Sequence, residues 1–249
     1  LVPHIDKAYA GSGFNVLVGK SYGGLFCLYS ALQPGSPFSA YVVASPSVFL
    51  KDGQMVRDIW KGRARFEGLK YLFLSHANED DILRKPAVEI AGILRQRMDA
   101  GRFDFSQLMA ERHESVLLPS VQQALAKLFE QWPLPTHVER YGLPALLEHY
   151  DGEIERLGLG IDVPERLFVL AGNLISSSGN ADLALPVYLE AEKRFPASVA
   201  VEFALYRSYA KAKDPGAARR HLELAVAAAE AVSDPDLAEL KALLATLPR

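Results

Sequence analysis

The chain has 249 residues, a formal net charge of −3, 49% hydrophobic residues and 23% charged ones. This is the composition of a globular protein long enough for two modest domains, and its charge balance offers no basic surface for nucleic acid. No apolar run approaches the ~20 residues needed to span a bilayer, and the single cysteine, Cys27, excludes an intrachain disulfide and a multi-cysteine zinc site.

The opening segment, Leu1-Val2-Pro3-His4-Ile5-Asp6, lacks the basic and apolar regions of a signal peptide. Because no Met initiates it, the expectation is that an upstream portion has been removed together with any targeting signal, and the compartment stays unassigned. Short β-like runs then follow at Asn15–Val18, Ala40–Ala44, Tyr71–Leu74 and Phe103–Met109, with helix-length stretches between them. Strands that are apolar throughout and alternate with helices predict a parallel sheet covered on both faces, so residues 1–132 read as α/β. Cys27 is expected to be a small buried helix residue. An amphipathic helix carrying Leu125, Leu128 and Phe129 runs into Trp132-Pro133-Leu134-Pro135-Thr136, where two prolines form a stop signal and a hinge. Residues 133–164 read as that hinge and a linking helix.

From Glu165 the chain is helical and repetitive. A 34-residue unit begun there places Phe168, Ala171, Gly172, Ile175, Ala184, Tyr188, Ala191 and Pro196 where tetratricopeptide repeats keep their packing residues. The next unit puts Leu205, Tyr209, Ala218, Leu222 and Ala225 in the equivalent slots, while Glu202 and Tyr206 depart from the pattern. Small residues such as Gly172, Ala184 and Ala218 let paired helices approach closely, and a helix after Asp234-Pro235 would cap the stack. Residues 165–249 are therefore expected to form an all-α, tetratricopeptide-like domain, with an unspecific helical bundle as the alternative.

The chemistry-bearing signal is Gly19-Lys20-Ser21-Tyr22-Gly23-Gly24, a G-x-S-x-G elbow set between a predicted strand and the helix-like Leu25–Ser30. In such an elbow the serine occupies a sharp strand-to-helix turn, glycines on both sides permit close backbone approach, and the helix N-terminus favours developing negative charge. Tyr22 would lend its backbone N–H to an oxyanion hole. A phosphate-binding loop is excluded by spacing, since the position requiring glycine is Phe14. A purely structural turn is the competing interpretation.

A serine needs a base, and the elbow predicts an acid and then a histidine further along the chain. Of six histidines, His113 stands in a loop directly after the strand Phe103–Met109, where sites of open parallel sheets gather. His76 is an alternative base, although it occupies the region from which the acid should emerge. His4, His137, His149 and His221 are expected to be surface or packing residues. The acid is expected after Tyr71–Leu74, where Asn78-Glu79-Asp80-Asp81 offers three carboxylates that spacing alone does not separate.

The chain resembles the esterase family of α/β-hydrolases that includes siderophore esterases and S-formylglutathione hydrolases, and within it members with tetratricopeptide tails. The resemblance is carried by Val2-Pro3-His4-Ile5-Asp6, Gly19-Lys20-Ser21-Tyr22-Gly23-Gly24-Leu25-Phe26, Ala44-Ser45-Pro46-Ser47, Asn78-Glu79 and His113-Glu114-Ser115-Val116, in that order. It implies Ser21 as nucleophile, His113 as base and Glu79 as acid, with Ser45-Pro46-Ser47 near the mouth of the site. The family's glycine after the histidine is Glu114 here, which alters the pocket's shape and charge. In this fold the elbow strand lies mid-sheet, and earlier strands supply its neighbour and a second oxyanion donor. The resemblance thus implies the C-terminal half of a hydrolase sheet, with Val16, Leu17 and Val18 on an unpaired edge. Losing one oxyanion donor typically costs about 10²–10³ in turnover.

The function expected is carboxylic ester hydrolysis through an acyl-enzyme, on a small-molecule ester and with no metal or organic cofactor. The repeats would serve a protein or peptide partner. The rival expectation is a scaffold, in which a degenerate hydrolase half supports a partner-binding repeat surface.

Overall fold

Four β-like runs form parallel strands, the first three largely apolar: β1 (Val16–Lys20), β2 (Ala40–Ala44), β3 (Tyr71–Ala77) and β4 (Phe103–Leu108). The structure, a computed structural model, describes residues 2–9, 11–61 and 68–247, so residues 1, 10 and 62–67 of the expected α/β segment and the last two of the helical one lie outside the description. The sheet order is β1-β2-β3-β4. Two strands run further than their apolar runs suggest. In β1, Gly19 and Lys20 continue the ladder opposite Val43 and Ala44. In β3, Ser75, His76 and Ala77 pair with Ser106, Gln107 and Leu108, so a polar pair that reads as loop is strand.

Every residue of β2 and β3 is buried, which is why their sequences are continuous apolar runs with no polar face. Alternate side chains, among them Tyr41, Val43, Leu72 and Leu74, pack with α2 (Tyr22–Ala31), α3 (Leu50–Trp60) and α4 (Asp81–Arg97). On the opposite face Ala44 and Ala77 meet Val116, which leads into α5 (Leu117–Leu128), the short α1 (Val2–Ala8) lying ahead of the sheet in the chain. A buried hydroxyl pair, Ser75 with Ser120 at 2.8 Å, joins β3 to α5, and Ser120 also donates to the Val116 carbonyl at 2.6 Å. Both polar groups are thereby satisfied inside the core. β1 and β4 are the edge strands among the described residues, and Val18 on β1 is exposed.

Cys27 lies inside α2, and burial pushes its thiol up to about 12. The thiolate is the reactive form, so Cys27 is expected to resist iodoacetamide at pH 8 in the folded protein and to react fully in denaturant; rapid labelling of the native chain would show the buried placement to be wrong.

The chain divides into two units, Leu1–Gln131 with Glu155–Gly160, and Trp132–Ile154 with Ile161–Arg249. Helices α6 (Val138–Tyr141), α7 (Leu143–Leu157), α8 (Glu165–Ser177), α9 (Ala181–Arg194), α10 (Val199–Lys211), α11 (Pro215–Val232) and α12 (Leu237–Thr246) follow the sheet unit in the chain. Three residues connect α8 to α9 and three connect α10 to α11, so each pair folds back as a helical hairpin. Phe168, Ala171, Ile175, Ala184, Tyr188 and Ala191 are buried in the first hairpin. Close approach is demanded at Gly172, where an added Cβ would lie 2.3 Å from Cε1 of Tyr188. The Tyr188 hydroxyl donates to Asn173 Oδ1 at 2.8 Å, which fixes the ring, and burial pushes its phenol up to about 12.

Alanine at position 172 pits two effects against each other. Helix propensity favours it over glycine by about 1 kcal/mol, whereas overpacking a filled interface costs about 1–3 kcal/mol or more. With backbone on one side and an anchored ring on the other, packing dominates. Gly172→Ala is expected to lower the midpoint of thermal unfolding, and an unchanged or higher midpoint would show that the hairpin can open by that much.

Candidate active site

β1 passes into α2 through a single residue, Ser21, whose backbone sits at φ 58°, ψ −117°. Left-handed φ in a residue with a Cβ costs about 1–3 kcal/mol and persists only where surroundings impose it. Here they do. Ser21 N–H donates to the Ala44 carbonyl at 3.0 Å, and the Ser21 carbonyl accepts from Leu25 N–H in α2 and from Ser47 N–H, each at 3.0 Å. Gly19 makes the turn possible, since a Cβ there would stand 2.3 Å from the Gly23 carbonyl oxygen and 2.7 Å from Cys27 Sγ. Gly24 lets α2 approach the loop after β2, where a Cβ would meet Pro46 Cα at 3.1 Å. A Cβ on Gly23 would have no atom within 4 Å. The steric demand therefore falls on Gly19 and Gly24, not on the motif's second glycine.

Tyr22 is the first residue of α2, so its amide is one of the first-turn N–H groups with no intrahelical acceptor. The Ser21 hydroxyl hydrogen-bonds that of the buried Ser47 at 3.0 Å. Ser45, also at positive φ, donates its N–H to the Ser75 carbonyl at 2.8 Å and accepts from Ala77 N–H at 3.2 Å. The Ser45-Pro46-Ser47 loop thus ties the end of β1 to the end of β3. Sequence reasoning placed this loop near the site without the Ser21–Ser47 contact, because the two hydroxyls meet only through strand pairing.

The loops after β3 and β4 are joined by Asn78 N–H donating to the Glu111 carbonyl at 2.9 Å. Within them His113 Nδ1 lies 2.8 Å from Glu79 Oε2. The Glu79 side chain is 5% exposed and the imidazole 26%, and Glu79 Oε1 also accepts from Ala77 N–H at 3.4 Å. A buried carboxylate on Nδ1 holds the ring proton there and leaves Nε2 as the basic nitrogen. Lys20 Nζ donates to the Glu114 carbonyl at 3.5 Å, so the residue before Ser21 touches the residue after His113. Among the described residues the Ser21 hydroxyl is bonded to Ser47 and not to His113.

The neighbouring carboxylates are occupied differently. Asp81 pairs with Arg84 and, at 2.8 Å, with Lys85; hydrogen bonds from Lys85 and then Arg84 hold its carboxyl below the usual range. Asp80 is the residue preceding α4, in extended conformation. His76 is 1% exposed inside β3, with Nδ1 2.8 Å from the Ala77 carbonyl and Nε2 lacking any partner among the described residues. Its ring is enclosed beside Phe105 rather than presented at the sheet edge. His4 is exposed in α1, and His137, His149 and His221 lie in the helical unit.

Beside the turn is a groove of about 550 Å³ between α2 and α3, lined by Tyr22, Leu25, Phe26 and Tyr29 from the first helix and by Leu50, Gln54 and Met55 from the second. Its size and mostly apolar walls fall within the range of small-molecule sites.

No protein-family model matches the chain, and comparison with the curated proteins finds no match. Among solved structures, an IroE-like serine hydrolase from Shewanella oneidensis aligns with 75% of this chain and 62% of its own, at a TM-score of 0.61 and 18% identity. The chain thus spans less than two thirds of that structure's length. An uncharacterised protein from Capnocytophaga ochracea aligns with 97% of this chain and 72% of its own, at a TM-score of 0.61 and 17% identity. Siderophore hydrolase EstB from Aspergillus nidulans gives a TM-score of 0.40 at 23% identity over 48% of this chain and 49% of its own, too slight a likeness to bear on the fold. At these identities the likeness to the first two is one of fold, and the chain has an α/β-hydrolase-like fold.

Proposed function

We propose that this chain carries the acylating centre of a carboxylic ester hydrolase, with Ser21 as nucleophile, His113 as general base, Glu79 as the carboxylate orienting the imidazole and the Tyr22 N–H as an oxyanion donor. The observation that carries the reading is the strained Ser21 turn at the head of α2, which leaves the sheet at the same, C-terminal end of the strands as the buried Glu79–His113 pair. The likeness in fold to a serine hydrolase adds support. In this mechanism Ser21 Oγ exchanges its bond to Ser47 for one to His113 Nε2, loses its proton there and attacks the ester carbonyl. The tetrahedral oxyanion gathers charge against the Tyr22 N–H and the positive end of α2. His113 returns the proton to the leaving alcohol, and a water deprotonated by the same nitrogen then releases the acid. Glu79 keeps Nδ1 protonated and stabilises the imidazolium throughout. The groove along α2 holds the organic part of a small ester. The helical hairpins are read as tetratricopeptide-like, offering surface to a protein or peptide.

The direct test is covalent. A fluorophosphonate probe applied to the intact protein is expected to label one residue, which peptide mapping locates at Ser21; labelling at any other serine, or none at saturating probe, would overturn the assignment.

A further inference from the structure

Three helices of the second unit converge on a group that ester hydrolysis leaves unused. Glu192 stands on α9, Glu202 on α10 and His221 on α11. His221 Nδ1 lies 2.8 Å from Glu202 Oε2 and 3.9 Å from Glu192 Oε1, and the ligand atoms of all three fall within 4.8 Å of one another. The imidazole and Glu202 are 5% and 4% exposed, whereas Glu192 is 29% exposed and forms the open side. Tyr209 stacks on the imidazole, 5.2 Å between ring centroids and 8° from coplanar, which fixes the ring's direction.

The charges in this cluster do not balance. Among the described residues neither carboxylate pairs with a lysine or arginine, and the imidazole is the only cationic partner that either one meets. A protonated His221 neutralises one carboxylate and leaves the other. The carboxylate left over is the half-open Glu192, and a divalent cation held by two carboxylates and a neutral imidazole brings the sum to zero. Geometry agrees. Ligands about 2.1 Å from a tetrahedral ion stand about 3.4 Å from one another, and the two measured separations, 2.8 and 3.9 Å, bracket that value.

We propose that Glu192, Glu202 and His221 form a binding site for a zinc-class divalent cation that clamps α9, α10 and α11 together. One nitrogen and two oxygens select zinc, cobalt or nickel over magnesium, which prefers an all-oxygen octahedron. The cation takes the place of the proton on Nδ1, which leaves to solvent while the ring keeps a proton on Nε2. A fourth position stays open to water on the Glu192 side. Glu202, a departure from the repeat pattern in the sequence, then has a role that needs a carboxylate.

The test is a calorimetric titration of the chelator-dialysed full chain with zinc chloride, accompanied by thermal unfolding. One saturable equivalent and a raised unfolding midpoint are expected, with no effect of magnesium chloride. Glu192→Gln, at the most exposed of the three positions and so the substitution the fold best tolerates, is expected to weaken zinc binding by on the order of 10–100-fold. Glu79→Gln should leave it unchanged, which separates this cluster from the other carboxylate–imidazole pair. Visible absorption of the cobalt-loaded protein should report a low-coordinate site in the parent and lose intensity in Glu192→Gln. Absence of a saturable equivalent, or zinc binding indifferent to Glu192→Gln, overturns the proposal, as does binding abolished by Glu79→Gln.

Discussion

Ser21→Ala is expected to reduce hydrolysis of short p-nitrophenyl esters by on the order of 10⁴-fold or more, because in the proposed mechanism the acyl-enzyme forms on the Ser21 hydroxyl. The variant should stay folded, since the backbone bonds from Ala44, Leu25 and Ser47 that shape the turn involve no side-chain atom of Ser21. Alanine keeps the Cβ and with it the cost of φ 58°. Glycine does not. Ser21→Gly should therefore be equally inactive yet unfold at a higher temperature than Ser21→Ala, reflecting release of about 1–3 kcal/mol of backbone strain less the chain entropy that glycine adds. The measurement is turnover of all three proteins at matched concentration beside their unfolding curves. Substantial turnover by Ser21→Ala would falsify the nucleophile assignment, and glycine and alanine variants of equal stability would mean the turn is not strained.

Glu79→Gln is expected to lose about 10⁴ in kcat while substrate affinity and unfolding midpoint change little. An amide retains the shape of the carboxylate but cannot stabilise the imidazolium, and it can turn its NH₂ toward Nδ1 and so select the wrong tautomer. Its neighbours serve as the internal comparison. Asp80→Asn and Asp81→Asn should remain near parental activity, for Asp81 is committed to exposed pairs with Arg84 and Lys85, and loss of such pairs changes stability by about 0–1 kcal/mol. A selective collapse in either aspartate variant would move the orienting role to that residue. No loss in any of the three would leave Ser21 and His113 acting as a dyad.

Much of the architecture was legible because it is written in local patterns. Apolar runs of four or five residues marked β1, β2 and β3, the seven-residue stretch Phe103–Met109 marked β4, and the 34-residue spacing brought out Phe168, Gly172 and Tyr188, which do pack together. The polar end of β3 was missed, since Ser75 and His76 look like loop until Ser106 and Gln107 are seen opposite them.

What the sequence marked by itself is the turn at Ser21, because a strand, a glycine that must lack a Cβ and a helix start are all contained in a few consecutive residues; the bonds to Ala44 and Ser47 that hold its strained backbone come from the next strand and its loop. Spacing left Glu79, Asp80 and Asp81 open and only the family resemblance singled out Glu79; tertiary structure supplied its contact with His113, and it alone decided that Ser47 rather than any charged group touches the Ser21 hydroxyl and that Glu202 faces His221. Each of those contacts joins loops or helices far apart in the chain. Such meetings are set by strand register and helix packing, and the spacing of residues along a sequence carries no record of either.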